Sequence, residues 1–188
     1  GLVFIGPDPE SMERLSDKAI LKALIRDTGL SVIPGTKAVA SVLEAKRAAA
    51  KIGYPVMLKA CAGGGGRGIR LIRSEDELED AYQQATSEAI LAFGDGSVYL
   101  EKYISPARHV ELQILADEHG NAVCLGDRDC SLQRRNQKLL EETPSPAVND
   151  AQRQKIIALA VDAVKKIGYI GAGTLEFLLD RDGNFWFM

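Results

Sequence analysis

Three things are scarce in these 188 residues: cysteine, long apolar runs, and an excess of charge of either sign. No apolar run approaches the roughly 18 residues of a membrane-spanning helix, and no charged-then-apolar leader precedes a small-residue cleavage site. A soluble, cytoplasmic protein with no membrane partner is expected. The 23 basic and 26 acidic residues leave a net charge of −3, which argues against a general nucleic-acid or acidic-membrane surface. Any anion binding must therefore be local. Cys61, Cys124 and Cys130 are odd in number and lack the paired spacing of a zinc site, so reduced thiols in an intracellular compartment are expected. Internal repeats and low-complexity segments are also missing.

What is present is a chain 46% hydrophobic, enough to bury a core as one domain of average size or as two small lobes. Residues 16–26 and 41–52 read as helices, each followed by a glycine stop. Strands at 55–59 and 69–72 flank a glycine-rich loop, and Ser74 with Glu77 is spaced as a capping box for a helix running to about residue 93. Further strands are expected at 98–101, 110–115 and 122–125, the last two joined by Asp117-Glu-His-Gly-Asn121. The sheet is then expected to pause. Asn149 is placed to cap a helix to residue 167 with Ile157, Ala160, Val161 and Val164 inward, and 174–179 pairs through Asp182-Gly183 with 185–188. The composite is α+β, hairpins packed on helices in two lobes, with a boundary near residues 102–106 and room for a ligand between lobes.

The expected pause, residues 127–146, packs four bases and four acids into twenty residues with almost no apolar periodicity. Arg134, Arg135 and Lys138 suit an oxyanion or phosphate, or form a solvated charge run balanced by Glu141 and Glu142. Gly63-Gly-Gly-Gly66 with Arg67 and Gly68 offers backbone N–H groups that no side chain screens from phosphate; the bland reading is a hairpin linker. It is neither a Walker loop nor a Rossmann fingerprint, since no Gly-Lys-Ser/Thr follows and no helix begins there. Lys59 ends the preceding strand, in reach of the same phosphates, whereas Lys18 alone reads as a surface lysine. Glu176 lies inside an apolar strand, on the face with Thr174 and Leu178; its partner is a magnesium ion bridged to phosphate, or solvent. His109 and Glu111 share one face of their strand, with no role legible from spacing.

Taken together these residues resemble the biotin carboxylase component of biotin-dependent carboxylases, a branch of the ATP-grasp superfamily. Gly1-Leu-Val-Phe-Ile-Gly-Pro7, Lys59-Ala-Cys-Ala-Gly-Gly-Gly-Gly-Arg-Gly68, Arg108-His-Val-Glu111, Asp127-Arg-Asp-Cys-Ser131 running on to Pro146, and Gly171-Ala-Gly-Thr-Leu-Glu-Phe177 follow the family in order. The resemblance implies an ATP-grasp fold: residues 1–30 as the end of an amino-terminal domain with an entry helix, 31–104 as a lid lobe carrying the glycine loop, 105–188 as a truncated second lobe. It implies ATP held between two lobes, bicarbonate phosphorylated to carboxyphosphate, and carboxylation of biotin on a carrier protein, as in acetyl-CoA carboxylase of fatty acid biosynthesis or a related acyl-CoA or pyruvate carboxylase.

Carried over by motif, Lys18 and Lys59 contact ATP phosphates, Gly65 and Gly66 cover them, and Glu101, Lys102, Tyr103 and Ile104 hold adenine. His109 and Gln133 contact the nucleotide, Lys138 holds bicarbonate as the catalytic residue, and Glu176 ligates magnesium or manganese. Asn136 is a further nucleotide contact, at a place where many members carry histidine; its amide is shorter and cannot become cationic. The resemblance also implies a biotin carboxyl carrier, a carboxyltransferase component and a homodimer of the full-length subunit. The family pattern continues into a Glu-Met-Asn-x-Arg-x-Gln-Val-Glu-His segment with a second metal carboxylate, an arginine and a base. That segment is absent from this sequence, so the chain is expected to be inactive alone. A carbamoyl-phosphate synthetase-like ligase or a noncatalytic nucleotide-binding module are the alternatives.

Overall fold

The computed structural model describes residues 4, 6–16, 18–62, 68–134 and 137–188. The chain divides into two compact units, one of Gly1–Val32, Pro106–Arg134 and Lys138–Met188, the other of Ile33–Ser105 with Arg135–Gln137.

The second of these units is a three-stranded antiparallel sheet with helices. Helix α3 (Val42–Ile52) is followed by β1 (Val56–Ala60), β2 (Ile69–Ile72), α4 (Leu78–Phe93) and β3 (Val98–Lys102), in the sheet order β2-β1-β3. Ser41 starts α3 by accepting the Glu44 N–H at 3.2 Å, and Gly94 ends α4 in the left-handed conformation. Strand alternation sends Val56, Leu58 and Ala60 of β1 inward, where Val56 and Leu58 pack with Ile72, Leu78, Ala85, Val98 and Leu100, and turns Met57 and Lys59 to the other face. The capping box expected from Ser74 and Glu77 does not form. Ser74 makes no capping bond, and the Glu77 carboxylate accepts the Arg73 N–H at 2.8 Å, because a short 3₁₀ turn at Glu75–Glu77 intervenes before the helix.

The other unit begins with α1 (Pro9–Ser16) and α2 (Lys18–Arg26), where the sequence predicts one helix over 16–26. The earlier start has a legible cause: the Asp8 carboxylate accepts the Ser11 N–H at 2.9 Å and its hydroxyl at 2.6 Å, and Pro9 supplies a preset first helical φ. The unit's sheet comprises β4 (Ala107–Ala116), β5 (Ala122–Arg134), β6 (Gln137–Glu142), β7 (Gly171–Asp180) and β8 (Phe185–Phe187), ordered β6-β5-β4-β7-β8, with α5 (Asp150–Ile167) between β6 and β7 in the chain. Leu112, Ile114, Leu175, Phe177 and Phe187 form a core with Ile156, Ala160, Ala163 and Val164 of α5. Asn149 and Gln152 cap that helix reciprocally. Ala160 and Val164 face inward as expected, joined by the buried Ile156 and Ala163, while Ile157 and Val161 are only partly buried.

The largest correction concerns the polar stretch. The sheet does not pause: β5 continues to Arg134 and β6 follows from Gln137, so the charged residues described at 127–134 and 137–142 are strand positions. Strand pairing satisfies the backbone of a segment too polar to bury itself, and alternation sorts its charges onto two faces. Asp127 and Asp129 turn to the α5 side. There Arg153 of α5 meets the Asp127 carboxylate at 2.7 Å and the carbonyls of Ser145 and Val148 at 3.2 and 2.8 Å, while Asp127 also accepts the Ser145 N–H at 2.9 Å.

This arrangement pins the crossing from β6 into α5 with one guanidinium. Arg153→Met should leave the buried Asp127 carboxylate without its cation and destabilise the protein by about 3 kcal/mol. A denaturant melt of the variant checks it: an unchanged midpoint would mean that the pair holds nothing.

Candidate functional site

In the sheet of β4 to β8, β4 is the middle strand. Residues Val110, Leu112 and Ile114 face the core, so His109, Glu111 and Gln113 face the opposite way. Register then decides their neighbours. Glu111 stands across from Arg128 of β5 on one side and from Glu176 of β7 on the other. Arg128 places its guanidinium 3.1 Å from Glu111 Oε2, 2.9 Å from Gln113 Oε1 and 3.5 Å from Glu141 Oε2. Lys138 of β6 forms ion pairs with both Glu111 and Glu176, the latter at 3.0 Å. His109 Nε2 lies 3.5 Å from Glu111 Oε1 and 3.8 Å from Glu176 Oε1, and Gln133 Nε2 reaches His109 Nδ1 at 2.7 Å.

The electrostatics follow from burial. The Glu111 side chain is 2% exposed, so its charge is tolerable only with cations in contact, and Arg128 and Lys138 are those cations. Burial pushes the His109 pKa below its ordinary value; Glu176 opposes that shift and the Lys138 ammonium adds to it. His109, Glu111 and Glu176 offer ligand atoms that all lie within 4.8 Å of one another. Two carboxylates at this spacing, one of them buried, are the hard oxygen donors that Mg²⁺ or Mn²⁺ takes, so the residues present fit a divalent cation.

Beneath this face Asp129 secures the strand that carries His109. Its carboxylate accepts the Ser131 N–H at 3.0 Å, the Ser131 hydroxyl at 2.6 Å, the Ser145 hydroxyl at 3.2 Å and Arg108 at 3.1 Å; Ser131 Oγ in turn accepts the His109 N–H at 3.0 Å. Burial alone would raise the Asp129 pKa, but the bonds from Ser131, Arg108 and Ser145 together outweigh it and the net shift is downward. Burial likewise pushes the Cys124 and Cys130 thiols up, which leaves neither as an activated nucleophile.

In the three-stranded unit, Lys59 of β1 reaches diagonally to Glu101 of β3, with the ammonium 2.6 Å from the buried carboxylate. Lys102 turns its ammonium to the Gly53 carbonyl at 2.7 Å, the Tyr103 N–H is bound by the Pro55 carbonyl at 3.2 Å, and Ile104 follows half-buried. Lys18 opens α2, with its side chain outside the described residues, as are Gly65, Gly66, Arg135 and Asn136 altogether.

Of the residues singled out from sequence, the structure thus brings Lys138, Glu176, His109 and Gln133 together on one face, and Lys59 with Glu101 on another. Two further participants, Glu111 and Arg128, have no role legible from sequence spacing alone. Their signal is the alternation in Asp127-Arg-Asp-Cys, which turns Arg128 away from both aspartates once the segment is read as a strand.

A sheet face bearing paired carboxylates and cations, backed by one long helix, can hold an anion and a divalent cation side by side. The chain belongs to the family described as the carbamoyl-phosphate synthase L chain, ATP binding domain, whose model matches residues 17–188. Among its relatives are biotin carboxylases: it is 52% identical to biotin carboxylase 1, chloroplastic, of Populus trichocarpa over the whole chain and 36% of that protein, and 52% identical to the biotin carboxylase of a Nostoc species over 42% of that protein. The biotin carboxylase domain of the Hydrogenobacter thermophilus 2-oxoglutarate carboxylase, solved as a dimer with MgADP, ADP and bicarbonate, superimposes with a TM-score of 0.95 at 50% identity, over all of this chain and 42% of that one. The fold is therefore the α+β ATP-grasp domain expected from the sequence. The chain spans about two fifths of the length of these relatives. No helix among the described residues is long and apolar enough to cross a membrane.

The depressed pKa of Asp129 makes the stability of this face pH-dependent. A group whose folded pKa lies below its unfolded value of 3.8 contributes stability that is fully present above that value and is lost as pH falls through the folded one. Urea midpoints measured from neutral pH into the acid range should fall more steeply below about pH 4 for the natural chain than for Asp129→Asn; parallel curves would show that Asp129 does not carry the effect.

Proposed function

We propose that this chain is the ATP-binding portion of a biotin carboxylase, which uses MgATP and bicarbonate to form carboxyphosphate and carboxylates the ureido nitrogen of biotin on a carrier protein. The observation that carries this reading is Lys138 held between Glu111 and Glu176 beside His109, in a chain 52% identical throughout to biotin carboxylases. In phosphoryl transfer the protein's task is to position the reactants and offset charge.

On this reading Lys138 is the catalytic residue that holds bicarbonate, its ammonium exchanging a carboxylate for the substrate anion. Glu176 holds the magnesium or manganese ion, with Glu111 beside it, and that ion would offset charge on the phosphates. His109 and Gln133 contact the nucleotide, as does Asn136. Lys18 of the same unit and Lys59 of the other serve the phosphates, Gly65 and Gly66 cover them, and Glu101, Lys102, Tyr103 and Ile104 receive adenine. The domain limits follow the same reading: residues 1–30 close an amino-terminal domain, 31–104 form the lid lobe and 105–188 the second lobe. Biotin arrives on a carrier, a carboxyltransferase component takes the product onward, and the full-length subunit works as a dimer in the cytoplasm, in fatty acid biosynthesis where the acceptor is acetyl-CoA.

Two measurements test this. The chain titrated with MgATP should show saturable binding that Glu176→Gln weakens about tenfold, a loss of about 1.4 kcal/mol; no MgATP binding by the natural chain would count against the site. A form extended at both ends to the length of its relatives should cleave ATP in a bicarbonate- and biotin-dependent way. Failure of the extended form to gain that activity would sink the carboxylase assignment.

A further inference from the structure

Gln133 holds its amide nitrogen between two neighbours on the same unit. Nε2 lies 2.8 Å from the carbonyl oxygen of Cys130 and 2.7 Å from Nδ1 of His109. A carbonyl oxygen only accepts hydrogen bonds, so the group facing Cys130 must be the amide NH₂; turning the amide over would set two acceptors against each other. With that orientation settled, the second amide hydrogen points at His109 Nδ1, which has to offer a lone pair. The imidazole proton is then on Nε2. Turning the ring over offers no escape, because it would replace that acceptor nitrogen with a C–H group facing an N–H.

His109 Nε2 is buried, makes no hydrogen bond among the described residues, and faces Glu111 Oε1 at 3.5 Å and Glu176 Oε1 at 3.8 Å. We infer that Gln133 is a positioning residue that sets the tautomer of His109, so that this histidine presents an N–H rather than a lone pair to the face shared by Glu111, Glu176 and Lys138. Many histidines carry the proton on Nδ1, bound to a carbonyl or carboxylate, which frees Nε2 for a metal. Here the order is reversed. Although His109 sits within 4.8 Å of two carboxylate ligand atoms, Gln133 removes it from any ligand set, and a cation at this place is held by carboxylate oxygens. The N–H is left to donate to a carboxylate or phosphate oxygen. Only that last role rests on the proposed nucleotide site; the tautomer stands on the geometry around Gln133.

The sequence provides a clean probe, because it contains two histidines and the other, His119, has a 75% exposed side chain. Ring ¹⁵N spectra of the labelled chain at about pH 8, above the ordinary histidine value of about 6.5, compare two neutral rings directly. His109 should show a single Nε2–H tautomer, with His119 averaging between the two forms. Gln133→Met removes the donor and should let His109 average as well. Gln133→Glu puts an acceptor in its place and should draw the proton to Nδ1. A natural chain whose His109 averages or carries the proton on Nδ1 would overturn the inference. So would a Gln133→Met variant, shown folded by its amide spectrum, that keeps a pure Nε2–H form. If neither variant folds, the natural chain's spectrum still decides. A failed nucleotide site looks different: the tautomer stays intact while MgATP does not bind.

Discussion

The arrangement of the five-stranded unit depends on one buried carboxylate. Glu111 sits in the middle strand with its side chain 2% exposed, and a charge so placed is costly unless cations and hydrogen-bond donors surround it. Arg128 and Lys138 meet that requirement from the two strands on one side, while Glu176 stands opposite from the strand on the other. Four strands are thereby committed to one polar face. The same need for compensation draws Lys138 into contact with Glu176, which is how a lysine and two carboxylates come to be close enough to handle an anion and a cation together.

The opposite face obeys the same rule with different partners. Asp127 and Asp129 are buried among the helix-side residues, and their acceptors are filled by Arg153, Ser145, Ser131 and Arg108. Asp127-Arg-Asp-Cys-Ser131 thus has two functions separated by strand alternation. The aspartates lock strand to helix and loop, and Arg128 supports the site. A register slip of one residue would exchange these roles and bury the wrong charges, so the apolar pattern of β4 and the polar pattern of β5 reinforce one another.

Chemistry is concentrated where sheet geometry alone determines distance. Lys138 and Glu176 are 38 positions apart in the chain, yet β6 and β7 bring their side chains to 3.0 Å. His109 and Gln133 are 24 positions apart and meet at 2.7 Å, through neighbouring strands joined by a turn that Asp117 organises with the N–H groups of His119 and Asn121. That short turn holds β4 and β5 in register, and register converts sequence separation into contact.

By itself the sequence determined the local elements and the family. Helical periodicity, glycine stops and the Asn149 cap were legible in residues 41–52 and 149–167, as was the alternation that sends Leu175, Phe177 and Leu179 inward and leaves Glu176 on the other face. Its ordered motifs named biotin carboxylases as relatives. Local pattern misled where polar composition masked strands, at residues 127–134 and 137–142, because β propensity there is supplied by pairing, of β5 with β4 and of β6 with β5, and not by the segment's own apolar content. Only the tertiary structure decided that Arg128 and Lys138 share Glu111 and that Gln133 governs His109. The physical reason is that burial and hydrogen bonding depend on which strands are neighbours, and neighbourhood is a property of the folded sheet.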